Sequence, residues 1–359
     1  MAYRVHVMQT AESFEVGANE SVLDAALRQQ VKLAHECTFG GCGTCRVKLV
    51  EGTVDYEEFP MALTPQEAQQ GYALACQARP RSDLVISVVS ALEGVTAPQR
   101  CAAVVREVRR LGADVANLRL ELPDLPELAY LPGQYMNVHL GDGTHRSFSM
   151  ASLPDAGLVD FHVRRIAGGR FTEGQVDRLR PGDALDVELP LGSFRFHAED
   201  YRPLLMVATG TGLAPIKSML ESLLDDSDCP PVWLYWGMRD EAGLYLDDEI
   251  RGWAARLYEF QYVPVLSRAS LEWGGRRGHV QQAVVADLPD LSEHSIYLCG
   301  SPAMIHDAKQ LFLAHAADLE HVYTDAFSFQ HSVAGTGHAE IYGQSGTREP
   351  SRESANRGR

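Results

Sequence analysis

Three of the seven cysteines stand in one short loop. Cys37, Cys42 and Cys45 follow the spacing Cys-x4-Cys-x2-Cys, with Gly40, Gly41 and Gly43 between them, and a fourth, Cys76, comes further along the chain. Four thiolates at this spacing can hold two irons as a [2Fe–2S] cluster. Glycines beside the sulfurs let backbone N–H groups approach and stabilise the cluster's negative charge. The alternative is a structural zinc ion on four cysteines. Zinc ribbons pair two short knuckles of two cysteines each, whereas here three ligands share one loop. Cys101 and Cys229 lie in no comparable context and receive no role.

Other stretches have residue types suited to holding a large anionic cofactor. Arg146-Ser147-Phe148-Ser149 offers a cation for a phosphate, an aromatic ring to stack, and a hydroxyl for a ring nitrogen. The run from His162 and Val163 to Gly168-Gly169-Arg170-Phe171-Thr172 adds glycine-rich backbone for phosphate oxygens. Taken alone, Arg146 and Phe148 read first as an ordinary strand pair with one exposed charge. Further on, the apolar run Leu204 to Ala208 enters Thr209-Gly210-Thr211-Gly212-Leu213-Ala214-Pro215 and then a helical pattern from Ile216 to Leu224. A strand, a glycine turn and a helix start form a phosphate cradle, and taken alone they read equally as a structural turn. Proline at the sixth place suits a first helical turn, where its missing N–H costs little. Cys299-Gly300 ends another apolar run, where a cysteine serves either as a small core residue or in a site.

Three units must position these groups. Residues 1–92 combine a hairpin (Tyr3 to Met8, Phe14 to Val16), a Ser21-capped helix, a strand at 47–50, a helix with a Thr64 cap and Pro65, and a closing strand from Leu84 to Val89. That mixture around a glycine-rich loop fits a β-grasp. A linker is expected at 93–100, between breakers Gly94 and Pro98. From 101 to 200, five strand-like runs (101–108, 118–122, 134–140, 160–165 and 184–189) alternate with turn signals, as in a small antiparallel barrel. From 201 to 328, strands at 204–208, 232–237, 261–266 and 296–300 alternate with helices, the last at 302–312, as in a parallel, Rossmann-like sheet with ligands at its carboxyl edge. Residues 329–359 are rich in Gly, Ser, His, Arg and Glu and are expected to be disordered. The expected class is therefore multidomain, α+β followed by α/β.

The bulk composition narrows the partners. The formal net charge of -16 argues against nucleic acid and anionic membrane surfaces. No apolar run reaches membrane-spanning length. The N-terminus alternates like a strand and has no signal-peptide core, which points to the cytoplasm. The acidic run Asp55-Tyr56-Glu57-Glu58 reads as a dock for a basic partner or as a solvated loop.

Several motifs in one order resemble a known family: Cys37-x4-Cys42-x2-Cys45 with Cys76, Arg146-Ser-Phe-Ser149, His162-Val-Arg with Gly-Gly-Arg170, Gly210-Thr-Gly-Leu-Ala-Pro215, Cys299-Gly-Ser-Pro-Ala-Met304 and Tyr323-Thr-Asp-Ala-Phe327. Up to about residue 328 the chain resembles the reductase components of bacterial ring-hydroxylating (Rieske) dioxygenases, such as those acting with naphthalene and terephthalate dioxygenases. There a plant-type ferredoxin precedes a ferredoxin–NADP reductase-like pair of domains. The resemblance implies FAD, held by Arg146 at the phosphates, Phe148 on the isoalloxazine and Ser149 near N5, with Ser147, His162 and Val163 among the binding positions. Gly168, Gly169, Arg170 and Thr172 match its pyrophosphate turn. It implies a nicotinamide nucleotide at Gly210, Thr211, Gly212, Pro215, Arg239, Cys299 and Gly300, with Cys299 near the nicotinamide. Phe327 matches the aromatic that covers the other flavin face. Family members commonly carry tyrosine where this chain has Phe148, so stacking is kept and a phenol hydrogen bond is lost.

The implied activity is electron transfer from NADH through FAD and [2Fe–2S] to a terminal oxygenase or an intermediary ferredoxin in aromatic hydrocarbon catabolism, with Ser149, Cys299 and Phe327 at the hydride step. A flavin belongs between a two-electron donor and a one-electron cluster. Arg239 and Asp240 pull opposite ways on the ribose 2′ position, so NADPH stays open. Similar architectures serve di-iron monooxygenases and nucleotide-hexulose deoxygenation. A non-enzymatic redox sensor is the reading from another class.

Overall fold

The computed structural model describes residues 2–35, 37–88, 96–169 and 171–327. Arg170, the first part of the expected linker and the expected disordered tail at 329–359 lie outside the described residues.

The first unit contains β1 (Tyr3–Val7), β2 (Ser13–Val16), α1 (Val22–Arg28), β3 (Arg46–Glu51), β4 (Val54–Asp55), α2 (Pro65–Gln69), β5 (Tyr72–Leu74), β6 (Arg79–Pro80) and β7 (Leu84–Val88). Its main sheet has the order β2-β1-β7-β3-β5, with β1 and β7 parallel at its centre. One face is covered by α1, which buries Val22, Leu23, Ala25 and Ala26. Ser21 Oγ accepts the Asp24 N–H at 3.1 Å and starts that helix. At α2, Thr64 and Glu67 form a reciprocal capping box with Pro65 in the first turn. This is the β-grasp the sequence implies.

The second unit contains β8 (Gln99–Arg110), β9 (Val115–Glu121), β10 (Tyr135–His139), β11 (His145–Ser149), β12 (Leu158–Arg164) and β13 (Ala184–Leu191). They form one sheet ordered β11-β10-β13-β8-β9-β12. An antiparallel bridge between Met150 and Phe161 joins the end of β11 to β12 and closes the sheet on itself. Alternate residues such as Val105, Leu118, Leu120, Met136, Phe161 and Val187 fill the interior. Because β8 begins at Gln99, the last two residues of the expected linker are strand.

The third unit contains β14 (Leu204–Thr209), α3 (Leu213–Glu221), β15 (Val232–Met238), α4 (Asp247–Gly252), β16 (Phe260–Leu266), β17 (Arg276–Arg277), α5 (Val280–Asp287), β18 (Ser295–Gly300), α6 (Pro302–Ala314) and β19 (Val322–Ala326). All six strands are parallel, in the order β17-β16-β15-β14-β18-β19. Strands β14 and β18 are buried along almost their whole length, as parallel strands covered on both faces must be. The chain leaves β14 to one side and returns at β18 on the other, so the crevice between their carboxyl ends is the topological switch point. Helix α3 starts three residues before the position expected from periodicity. Gly210–Gly212 forms one turn of 3-10 helix that runs directly into it. Strand β19 carries no strand expectation from sequence. Among the described residues no helix is long and apolar enough to cross a membrane.

Candidate active site

The three loop cysteines and Cys76 come together as two pairs. Cys37 and Cys42 are hydrogen-bonded through their thiols, and Cys45 is hydrogen-bonded to Cys76. The glycine loop brings the N–H groups of Gly41 and Cys42 to 3.2 and 3.3 Å from Cys37 Sγ. The Cys42 hydrogen bond and these amides pull the Cys37 thiol down to about 6. Cys76 is held low by the Cys45 thiol, while Cys45 is pushed up by Cys76 and by burial. Cys42, Cys45 and Cys76 are buried. Cys76 is kept beside Cys45 by the bond from Ala75 N–H to Cys45 C=O at 3.0 Å. A binuclear cluster asks for two thiolates on each of two irons, and two pairs supply that.

At the switch point the barrel and the parallel sheet bring three side chains together. Ser149, at the end of β11, donates its hydroxyl to Asp325 Oδ2 at 3.4 Å, and the Cys299 thiol donates to the same oxygen at 3.8 Å. Burial lifts the Asp325 carboxyl from an ordinary 3.8 to about 6, against the lowering effect of these two hydrogen bonds. Sequence reasoning selects Ser149 and Cys299 but misses Asp325, although it stands within Tyr323-Thr-Asp-Ala-Phe327. An acid in a short polar run gives no sign of burial until β19 is seen to lie beside β18. Cys299 is paired in register with Asp325, and Gly300 with Ala326. The Phe327 N–H donates to Gly300 C=O at 2.8 Å, which sets that aromatic beside the cysteine–glycine turn.

The glycines here are fixed by close approach. A Cβ on Gly212 would lie 2.4 Å from the Cys299 carbonyl oxygen. At Gly300, with φ +143°, a Cβ would lie only 3.0 Å from the Thr209 carbonyl oxygen and would collide with the Thr209 hydroxyl. Trp236 Nε1 donates to Gly210 C=O at 3.0 Å and pins the 3-10 turn that holds Thr211. Pro215 is buried in the first turn of α3.

The barrel side of the site is mixed. Ser147 donates to Asn137 Oδ1 at 2.7 Å, Arg146 donates to the His145 carbonyl at 2.7 Å, and Phe148 meets Phe171 with ring centres 5.2 Å apart. The turn at Gly168 and Gly169 holds an anion of its own, since the Gly168 N–H donates to the Glu173 carboxylate at 2.5 Å. Beside it, Thr172 Oγ1 is buried and has no hydrogen-bond partner among the described residues. An anion-binding turn next to an orphaned hydroxyl fits a pyrophosphate, as FAD requires.

Two expected positions turn elsewhere. Val163 is spent in the barrel core. The His162 ring is buried edge-on against Tyr245, with Nδ1 3.2 Å from the Tyr245 hydroxyl, and burial pushes it down to about 3. It is a neutral contact between barrel and sheet. Lys217, which sequence reasoning misses, does similar work. It donates to the Ala151 carbonyl at 3.0 Å, pairs with Glu221 and ties α3 to the barrel. At the end of β15, Arg239 and Asp240 are both exposed, and Asp240 caps its own loop by accepting the Gly243 N–H at 3.2 Å.

Two of the three acids in the acidic run are paired in place. Asp55 pairs with Arg81 at 2.7 Å and Glu57 with Arg79 at 2.6 Å. Electron transfer to a partner should therefore change by less than about threefold between low and high salt, where docking by unpaired charges would give a steep fall. Stopped-flow measurement across a salt series reads this directly.

Comparison with known proteins agrees with this three-part division. Residues 5–81 match the 2Fe-2S iron-sulfur cluster binding domain, 102–196 the oxidoreductase FAD-binding domain, and 206–310 the oxidoreductase NAD-binding domain. The chain is 34% identical to the CDP-6-deoxy-L-threo-D-glycero-4-hexulose-3-dehydrase reductase of Yersinia pestis, over 91% of this chain and 99% of that one. It is 33% identical to the terephthalate 1,2-dioxygenase reductase component 2 of Comamonas sp, over 94% and 100%. Among solved structures it is similar to the Amycolatopsis cytochrome P450 reductase, with TM-score 0.67, 31% identity, and coverage of 90% and 98%.

Proposed function

We propose a reductase function on the premise that this chain belongs to the family of oxidoreductases in which a 2Fe-2S cluster domain is joined to FAD-binding and NAD-binding domains. In this reading it draws electrons from NADH and delivers them singly to the oxygenase component of a multicomponent aromatic-ring dioxygenase. The observation that carries it is the convergence of Ser149, Asp325 and Cys299 at the switch point. When bound, FAD supplies the conversion between the two electrons of a hydride and the single electrons a [2Fe–2S] cluster accepts.

The chain's own residues then divide the work. Cys37 with Cys42 and Cys45 with Cys76 hold the two irons. Arg146, the Gly168–Gly169 turn and Thr172 would hold the pyrophosphate, and Phe148 and Phe327 would contact the ring system. The turn Gly210–Gly212, with Gly300, admits the nicotinamide nucleotide, and Cys299 limits how closely it approaches. Ser149 presents a hydroxyl whose proton can pass to and from Asp325, a carboxyl held near neutrality by burial.

Asp325→Asn should lower NADH-driven flavin bleaching by about 10²-fold, the usual worth of a positioned acid–base group. It should also raise thermal stability above pH 6. The folded carboxyl titrates above its unfolded value, so its contribution is present below pH 4 and lost as pH rises through about 6. At neutral pH the ionised acid costs ~3 kcal/mol, which asparagine avoids. Melting curves from pH 4 to 8 check this, with the parent losing stability relative to the variant across that interval.

The identity to the hexulose-dehydrase reductase over 99% of its length favours a second acceptor, the dehydrase of a nucleotide-linked hexulose. Reconstitution decides between them. The purified reductase, with NADH or NADPH, is combined with a terminal oxygenase, an intermediary ferredoxin or a nucleotide-hexulose dehydrase, and substrate turnover is scored. Turnover with the dehydrase alone would transfer the assignment to it. A protein with flavin and iron–sulfur colour that neither nucleotide bleaches would end the reductase reading.

A further inference from the structure

The β-grasp unit is seated on the nucleotide-binding unit through a buried ionic triad. Glu67, on α2, is fully buried; Lys309, on α6, is 3% exposed; Arg46, at the start of β3, is largely covered. Lys309 Nζ lies 2.6 Å from Glu67 Oε1, and Arg46 lies 3.0 Å from the same oxygen. Each cation also reaches across the boundary. Lys309 donates to the Ala62 carbonyl at 3.0 Å, and Arg46 donates to the Leu319 and Val322 carbonyls at 3.0 and 3.1 Å. Leu319 itself is buried within the β-grasp core.

This seating puts the cysteine loop against β19. Strand side chains alternate between faces, and β19 uses both. On one face Asp325 meets Ser149 and Cys299. On the other, Thr324 Oγ1 lies 3.4 Å from where a Gly43 Cβ would be, and Ala326 shares a buried cluster with Cys42. A single strand thus separates the hydride site from the cysteine loop.

We propose that Arg46, Glu67 and Lys309 are positioning residues that clamp the cluster domain onto α6 and β19, so that β19 is the bridge by which electrons leave the flavin site for the cluster. The proposal rests on the reductase reading. One electron crosses at a time, two for each NADH oxidised, and no bond is made or broken in the crossing. The triad is suited to fixing register. A buried ion pair adds little net stability compared with apolar packing, but it penalises any seating that leaves a charge unpaired. At neutral pH Glu67 and Lys309 are both ionised. Burial pulls Lys309 down only to about 8, and although burial pushes Glu67 up, Lys309 and Arg46 hold it below its ordinary value.

Lys309→Met is the sharper test, because Glu67 keeps Arg46 and its capping box and the β-grasp unit is left with no unpaired charge. Holoprotein carrying the cluster and flavin colour of the parent is assayed in three ways. NADH-driven ferricyanide reduction, which draws on the flavin, should stay within about twofold of the parent, whereas cytochrome c reduction through the cluster should fall about tenfold or more, as displacement by an ångström or so does in preorganised sites. Amide hydrogen exchange should rise in α6 and across 319–324. Glu67→Gln, which strands two buried cations, should move all these readouts further except ferricyanide reduction. Parent-like exchange together with parent-like cytochrome c reduction in both variants would overturn the clamp. Failure of NADH to reduce flavin in the parent would instead defeat the reductase reading, and the exchange measurement would still judge the clamp.

Discussion

Cys76→Ala should yield a yellow protein that reduces ferricyanide with NADH but has lost the iron–sulfur absorption bands and the ability to reduce cytochrome c. Cys76 is buried and hydrogen-bonded to Cys45, in a turn held to the Cys45 carbonyl. Its removal leaves the second iron with one protein ligand. Loss of even a supporting outer partner costs 10- to 100-fold in metal affinity, so losing a ligand should cut cluster-dependent turnover by about two orders of magnitude or more. The flavin and nucleotide residues lie in other units, so the upstream half-reaction should survive. Ligand binding is also folding energy, and the β-grasp unit should melt earlier than in the parent. A variant retaining a parent-like iron–sulfur spectrum would remove Cys76 from the ligand set and leave it a buried core cysteine.

Gly212→Ala should do the reverse, stopping electrons at the entrance while leaving the cluster intact. The added Cβ would stand 2.4 Å from the Cys299 carbonyl oxygen and 2.6 Å from its carbon, both backbone atoms that cannot rotate away. The φ of this residue is ordinary, so the cost is purely one of space, ~1–3 kcal/mol for overpacking a tight contact. The functional loss should be larger than the stability loss. Separating β14 from β18 moves the nucleotide turn away from Ser149, Asp325 and Cys299, and a displacement near 1 Å is worth about 10²-fold in rate. Rapid mixing with NADH should show slowed flavin bleaching, while dithionite should still reduce the cluster fully. Bleaching at the parent rate would mean that the switch point is not where the nicotinamide binds.

The sequence was most readable where chemistry demands a fixed local spacing. Cys37, Cys42 and Cys45 in one loop, and Gly210 to Pro215 between a strand and a helix, could be assigned because both features depend on backbone geometry within a few residues. Strand-like runs alternating with helical ones gave the parallel sheet, and the Thr64-Pro65-Glu67 cap gave α2. It was least readable where a residue's role depends on what the fold lays beside it. Asp325 looked like one acid among 48 Asp and Glu residues. Glu67 read only as a capping residue, and Lys309 as an unremarked helical position. His162, expected near the flavin, is turned against Tyr245, because alternate positions on β12 face neighbours that the strand pattern alone cannot name. The acidic run read as a dock or a solvated loop, and the spacing could not show that Arg79 and Arg81 pair with Glu57 and Asp55.

The amino-acid order alone therefore determined the inventory: three units, a four-cysteine set, a small antiparallel barrel and a nucleotide-type sheet, each signalled by periodicity or spacing along the chain, with the flavin implied by the family resemblance. The tertiary structure decided the assembly. It paired the cysteines two and two, brought Ser149 and Cys299 from different units onto one buried carboxylate, and set the cysteine loop across a single strand from that carboxylate. The physical reason is that local spacing fixes what a loop can bind, whereas burial and charge pairing depend on contacts between residues hundreds of positions apart, as with Arg46 and Val322.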